Sequence, residues 1–533
     1  MSQVKITLNG KEIEAAAGSC LIEAAKVAGC EIPYYCYHEA LSIAGSCRLC
    51  AVEVGQRDEA GDVKMGAKLL MSCELTVREG MVVETESEKV IRHRKENMEF
   101  LLINHPLDCP VCDQAGECFL QDYSFENGWA TGHFNEEKIK QSKKQVGENI
   151  YLYGDRCIMC SRCVRFTREI SGGAELMVND RGNQSEIDIF PGIGVNDNMA
   201  GNVVDLCPVG ALLDKQFLFK QRVWDLKGTE SICPGCSRGC NITIDHNKGV
   251  VYRLRPRYNA EVNQWWMCDE GRYGFKFVQA DERLGSCLVR QDEAVYEVGW
   301  EEAIASGHDL LDPYGQEQGG KLAVVLSSWA SLEEQWVLAQ WARQLSSETV
   351  LVSGPIFTQG EDERFKSGFV VKSEKVPNRK GMEQVLELAG GAQKRLDELA
   401  ELIERGEIEA VMVQGGPRWQ GWCPEELVLK LRKAKVLVVL DILESELSRR
   451  ADVVFAGAAW AEKAGSFVND MGLCQRFEKA VDSPGGGVDD LTYLWHLSRR
   501  EGTCEIEQVR REMFDEKGQL RRWEEKTLGV ETV

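Results

Sequence analysis

No stretch of this chain approaches the ~18 consecutive apolar residues that a membrane-spanning helix requires. Any association with a membrane is therefore expected through partner chains. An excess of basic residues is also missing: 63 Lys and Arg stand against 85 Asp and Glu, a formal net charge of −22. Unspecific nucleic-acid binding needs a cationic surface to neutralise phosphates, so no nucleic-acid partner is expected. The start, Met1-Ser-Gln-Val-Lys5, runs directly into an alternating strand without the apolar core of a signal peptide, and a cytosolic chain is expected. No solenoid-period repeat or low-complexity tract is present. A hydrophobic fraction of 43% and a charged fraction of 28% are those of a globular protein. At 533 residues, several cores are expected.

Cysteine is abundant, at 21 residues. In a reducing compartment these are better read as metal ligands than as disulfides. Fifteen fall into four spaced groups between Cys36 and Cys268. The other six (Cys20, Cys30, Cys287, Cys423, Cys474, Cys504) stand alone and are expected to pack as small hydrophobes.

Patterning suggests how the groups are carried. Val4–Leu8 and Lys11–Ala15 flank Asn9-Gly10, a hairpin signal. Ser19 is expected to cap a helix bearing Leu21, Ile22, Ala25 and Val27 that stops near Gly29. A second helix is expected over 88–104, ending before His105-Pro106. Beyond residue 290, short apolar runs (Leu322–Leu326, Ala410–Val413, Val436–Leu440) alternate with helical patterns, which reads as α/β with a mainly parallel sheet. The Gly415-Gly416 pair after one such run reads as a strand-to-loop turn, with a phosphate cradle as the alternative.

The first group, Cys36-x10-Cys47-x2-Cys50-x22-Cys73, can surround a [2Fe–2S] rhomb. Arg48 and the N–H groups around Gly45-Ser46 could offset thiolate charge. The second group is His105-x3-Cys109-x2-Cys112-x5-Cys118. An imidazole in place of one thiolate makes a [4Fe–4S] cluster less negative and raises its potential. In the third, Cys157-x2-Cys160-x2-Cys163 opens like a two-cluster ferredoxin run, but Thr167 stands where the fourth cysteine would fall. Cys207-Pro208 ends a second such run whose first three positions are Asp197, Ala200 and Val203. In those ferredoxins the fourth cysteine of each run serves the other cluster. One complete ligand set therefore survives (Cys157, Cys160, Cys163, Cys207), and the other is lost entirely. The fourth group, Cys233-x2-Cys236-x3-Cys240-x27-Cys268, suffices for a further [4Fe–4S] cluster. Structural zinc is the bland alternative for each group, but it would not explain the logic of the third. Arg162, Arg165 and Arg168 follow the third group, either stabilising a reduced cluster or forming a solvated helix face.

In this order the groups resemble the large iron–sulfur subunit of respiratory complex I, the NADH–quinone oxidoreductase. Stretches beyond the ligands agree, including Gly45-Ser-Cys-Arg-Leu-Cys50, His105-Pro-Leu-Asp-Cys-Pro-Val-Cys112-Asp-Gln-Ala-Gly-Glu-Cys118 and Gly201-Asn-Val-Val-Asp-Leu-Cys-Pro-Val-Gly-Ala-Leu212. The resemblance is strong from residue 1 to about 290. It implies electrons received from a flavin/NADH-binding subunit and passed to downstream iron–sulfur subunits toward quinone, at the cytoplasmic side of the cell membrane. It also implies a multidomain α+β and α/β chain. A β-grasp [2Fe–2S] module is expected over 1–87, a [4Fe–4S] domain with one histidine and three cysteine ligands over 88–135, and a ferredoxin-like domain over 136–224. A molybdopterin-oxidoreductase-type [4Fe–4S] domain over 225–288 and a shortened molybdopterin-oxidoreductase-like α/β domain over 289–533 complete it. Ala451–Phe467 is similar to a recurring segment of that last fold. Molybdenum-dependent relatives usually carry Lys where Cys268-Asp-Glu270-Gly-Arg272 has an acid, so no molybdopterin is expected. The expected cofactors are one [2Fe–2S] and three [4Fe–4S] clusters.

No residue is expected to be catalytic in the isolated chain, because nothing here binds NADH or flavin convincingly. An iron-only hydrogenase would keep both ferredoxin-run clusters and add a cysteine-rich catalytic domain. The principal alternative is the iron–sulfur subunit of a soluble NAD-linked formate dehydrogenase or hydrogenase complex; a zinc scaffold is a further rival.

Overall fold

The computed structural model describes residues 2–58, 61–292, 294–316, 321–390 and 394–515. The last expected domain thus extends beyond the described residues. The chain divides into two compact units, one of Met1–Asp225 with Phe365–Gly368, the other of Leu226–Arg364 with Phe369–Val533. Among the described residues no helix is long and apolar enough to cross a membrane.

The first unit opens with the expected hairpin. Gln3–Leu8 pairs antiparallel with Lys11–Ala16, and Asn9 (φ 48°) and Gly10 (φ 77°) take the left-handed turn that suits strand twist. Gln3–Leu8 also pairs in parallel with Met81–Glu84, which lies beside Ala51–Arg57. The helix Leu21–Val27 buries Leu21, Ile22, Ala24 and Ala25 in the same core. This mixed sheet with its packed helix is a β-grasp. Ser19, however, does not cap that helix: Cys20 holds the N-cap position without a side-chain capping bond. The Ser19 hydroxyl instead donates to the Ala16 carbonyl at 2.7 Å, and its own carbonyl accepts from Val77 N–H, so hairpin closure has claimed the residue. The second helix, Glu88–Leu102, is capped by Ser87, whose hydroxyl accepts from Val90 N–H at 3.3 Å.

In the second unit, Lys227–Ile232, Asn241–Asn247 and Val250–Pro256 form an antiparallel meander. The apolar runs, with the short strand Lys394–Arg395, then build the parallel part of one sheet, in the spatial order Lys394–Arg395, Val350–Ser353, Leu322–Leu326, Ala410–Gln414, Val436–Asp441, Val453–Ala456, and Cys287–Gln291 and Ala294–Val298 extend it antiparallel beyond the last. In sequence order this is 3-2-1-4-5-6, the doubly wound arrangement, with its switch point between Leu322–Leu326 and Ala410–Gln414. Both runs are wholly buried, as strands covered on two faces must be. Charge is buried here as well. Lys463, from the Ala451–Phe467 segment, reaches Glu334 at 2.9 Å and Asp490 at 2.5 Å, with all three side chains at most 5% exposed.

Candidate metal centres

The first set lies where the β-grasp sheet meets its long loop. Arg48 (φ 58°) and Gly45 (φ 59°) turn left-handed there, folding the backbone back around Cys47. The four sulfurs fall into two pairs. Cys50 and Cys73 stand 3.4 Å apart, and the Cys50 thiol is drawn down to about 7, first by its hydrogen bond with Cys73. Cys36 is likewise drawn down to about 5, first by Cys47 and further by the N–H groups of Cys47 and Ser46. Two sulfur pairs are what the two irons of a rhomb require. The Gly45-Ser46 expectation thus has its N–H partner in Ser46, whereas Arg48 turns its guanidinium to the Gly45 carbonyl at 3.5 Å.

The second set follows helix Glu88–Leu102. Cys112 and Cys118 are buried, while Cys109 is exposed. His105 Nδ1 is buried and, among the described residues, has no hydrogen-bond partner. Burial, then Arg156 and Lys138, lowers the imidazole below its ordinary value. Neutral imidazole is the form that binds metal. Arg156 itself is fixed by Asp108 at 2.8 Å.

The third set surrounds a single cavity. Cys157, Cys160, Cys163 and Cys207 line about 350 Å³ together with Leu152, Ile158, Ile187, Val209, Ala211 and Leu212. Met159 (φ 54°) and Ser161 (φ 58°) wrap the loop, and Met159 N–H donates to Cys157 Sγ at 3.3 Å. Burial pushes the Cys160 thiol up to about 11, opposed by Arg162 and Arg165. At the positions of the lost ligand set, Thr167, Ala200 and Val203 are 0%, 2% and 0% exposed, and Asp197 accepts Met199 N–H at 2.8 Å. Ordinary packing occupies that ground. Of the three arginines, Arg162 and Arg165 are buried and Arg168 is exposed, which removes Arg168 from the expected trio. Arg165 Nη2 donates to the carbonyls of both Cys36 and Cys160, joining the first and third sets.

The fourth set sits in the second unit. Cys233, Cys236, Cys240 and Cys268 are all buried, and Gly271 N–H donates to Cys268 Sγ at 3.3 Å. A Cβ on Gly271 would lie 2.9 Å from Cys233 Sγ, so glycine is needed for that approach. Glu270 is bound by Lys375 and Arg418, two residues that local motif reading could not associate with it across more than a hundred positions.

Gly415 and Gly416 line a separate cavity of about 440 Å³ at the carboxyl ends of the parallel strands, with Trp329, Gln414, Ile442 and Lys463. Their N–H groups are spent inside the protein, on Leu440 O at 2.7 Å and Asp441 Oδ1 at 3.2 Å. The glycines make a turn, as read from sequence, and their N–H groups are not free to cradle a phosphate.

The donor sets fit iron–sulfur clusters: three groups of four cysteines and one of three cysteines with a histidine, mostly buried, with N–H groups pointing at sulfur. One buried apolar core joins the first three sets, with Tyr35, Cys36, Cys118, Cys160 and Val209 among its members. Tyr35 gave no signal in the sequence, yet its hydroxyl donates to Phe119 O at 3.3 Å beside Cys118, while its N–H donates to Cys47 Sγ at 3.4 Å.

Comparison with known proteins follows this layout. Residues 1–88 match the 2Fe–2S iron–sulfur cluster binding domain, 94–132 the NADH-ubiquinone oxidoreductase-G iron–sulfur binding region, and 147–213 the ferredoxin-like domain of NADH-quinone oxidoreductase subunit 3. Residues 226–280 match the molybdopterin oxidoreductase Fe4S4 domain, and 376–500 the molybdopterin oxidoreductase model. The chain is 38% identical over 350 residues to the NADH-quinone oxidoreductase G subunit of Rickettsia felis, covering 66% of this chain and 50% of that one. It is 40% identical over 359 residues to the mitochondrial NADH-ubiquinone oxidoreductase 78 kDa subunit of Neurospora crassa, covering 66% and 46%. The chain thus spans about half the length of these curated relatives. A solved NAD+-reducing [NiFe]-hydrogenase in the H2-reduced state is 27% identical, with 41% of this chain and 91% of that one covered at a TM-score of 0.35. With G-subunit relatives aligned across two thirds of its length and iron–sulfur models matched in the order of its cysteine groups, the chain belongs to the G-subunit family of NADH-quinone oxidoreductases.

Proposed function

We propose that sixteen side chains of this protein bind four clusters and carry electrons within an NADH–quinone oxidoreductase. Cys36, Cys47, Cys50 and Cys73 hold a [2Fe–2S] cluster. His105, Cys109, Cys112 and Cys118 hold the first [4Fe–4S] cluster; Cys157, Cys160, Cys163 and Cys207 the second; Cys233, Cys236, Cys240 and Cys268 the third. When bound, the clusters supply one-electron hopping without bond-making at a substrate. The protein's own contribution is to supply thiolates and one neutral imidazole, exclude water, and aim N–H dipoles and arginines at sulfur.

The cavity enclosed by Cys157, Cys160, Cys163 and Cys207 carries this reading. Four cysteines from two distant segments, 157–163 and 207, meet around one apolar space, as the crossed pairing of a two-run ferredoxin demands. Electrons are received from a flavin/NADH-binding subunit and leave through other iron–sulfur subunits toward quinone. The complex works at the cytoplasmic side of the membrane, held there through partner chains. The five-domain division, with boundaries near 87, 135, 224 and 288, gives each cluster its own module. Anaerobic purification of the complex, with iron quantified and EPR recorded on the reduced sample, tests the assignment. One [2Fe–2S] and three [4Fe–4S] signals assignable to this chain by cysteine substitution are expected. Zinc in place of iron at these cysteines would overturn it.

A further inference from the structure

Glu270 lies two residues beyond Cys268 and is gripped by two cations. Its Oε1 accepts from Arg418 Nη2 at 2.6 Å, and its Oε2 accepts from Lys375 Nζ at 2.6 Å. The same Arg418 nitrogen reaches the carbonyl of Gly235 at 3.4 Å, inside the Cys233–Cys236 loop. The segment carrying Lys375 is tied to that loop, because Ser237 N–H donates to Glu374 O at 3.0 Å. Lys375 is 5% exposed, so water screens it weakly. Arg418 stands close to the cysteine loop: a Cβ on Gly235 would lie 3.6 Å from Arg418 Nη1 and 3.3 Å from Cys233 Sγ. Arg238 is engaged elsewhere, with its guanidinium on the Val262 carbonyl and over the Phe369 ring.

We infer that Glu270, Lys375 and Arg418 form a charge triad that sets the reduction potential of the cluster held by Cys233, Cys236, Cys240 and Cys268, with Glu270 as its negative counterweight. The inference rests on the ligand reading of that fourth set. Adding an electron makes a thiolate-bound cluster more negative; two adjacent cations favour that step and the carboxylate opposes it. Two positive charges and one negative leave the triad with one net positive charge beside the sulfurs. Enclosure of Lys375 and the Gly235 bond of Arg418 keep both cations in place when the carboxylate is removed.

The test is a potentiometric EPR titration of the intact complex. Glu270→Gln keeps the side chain's shape and removes its charge, so the midpoint potential of this cluster rises. Lys375→Met lowers it. The double variant restores the net charge and returns the midpoint close to the parent value. An unchanged or falling midpoint in Glu270→Gln, or a double variant that does not return, overturns the triad. If Lys375→Met does not assemble, Arg418→Gln must show the same downward shift or the inference falls. Failure of the ligand reading is distinct: the parent complex would then lack any signal that Cys236→Ala removes.

Discussion

The third and fourth cysteine sets contain the same donors, yet the chain surrounds them differently. The third faces Leu152, Ile158, Ile187, Val209 and Leu212, with cationic help from Arg162 and Arg165. The fourth has Glu270, Lys375 and Arg418 close by, in a unit where buried ion pairs recur. Donor identity therefore does not fix electrical character; the neighbours do. Both surroundings are cationic on balance, and the carboxylate counterweight is what distinguishes the fourth set.

Removing a ligand from each set gives the largest contrast. Cys160→Ala should cut NADH-to-quinone turnover of the complex by about 100-fold, equivalent to about 2.7 kcal/mol in barrier. The family resemblance implies that the fourth cluster lies off the electron path, so Cys236→Ala should leave most of the turnover; equal losses in assembled complexes would erase the distinction. In the same set of variants, Cys157→Ala and Cys207→Ala should each remove one and the same EPR signal. Two different signals would break the crossed pairing.

The second unit's reliance on buried charge is tested next. Lys463→Met strands Glu334, which burial already raises to about 7, together with Asp490. Losing one partner of such a network costs about 3–5 kcal/mol. Calorimetry or protease resistance should show the second unit weakened while the first keeps its clusters. A variant as stable as the parent would count against that network.

How much of this could be read beforehand depends on sequence distance. Spacing is local, so the four cysteine groups were legible as groups, with Thr167, Asp197, Ala200 and Val203 standing where a second ferredoxin run would carry cysteine. The parallel sheet was legible because strands buried on both faces are continuously apolar. Ser19 misled because a hairpin competed for it. The arginine trio misled for a subtler reason. The α-helix Arg162–Phe166 passes into a π-turn over Thr167–Ser171, so the rotation per residue changes and Arg168 leaves the face that Arg162 and Arg165 share. Lys375 and Arg418 were invisible because only the folded second unit brings them to Glu270.

Two smaller effects sharpen the comparison. His105→Cys adds a negative ligand and should lower the potential of its cluster by on the order of 100 mV. An unshifted titration with the cluster intact would argue against ligation. Arg162→Gln should lower the potential of the third set's cluster by on the order of 50 mV, about 1 kcal/mol for one electron. Arg168→Gln, out in solvent, should leave it where it was; a shift as large from Arg168 would undo the distinction between them.

Gly210 has no side chain to offer, and that is its importance. A Cβ there would drive into Cys112 Sγ and press on Gln114 at 3.2 Å, three residues after Cys207. The bare backbone lets the Cys109–Cys118 stretch and the segment after Cys207 come within touching distance. On the proposed ligand assignment those stretches hold two clusters, and because tunnelling probability decays exponentially with the gap to be crossed, a single absent methyl group would act as a spacer gauge between them.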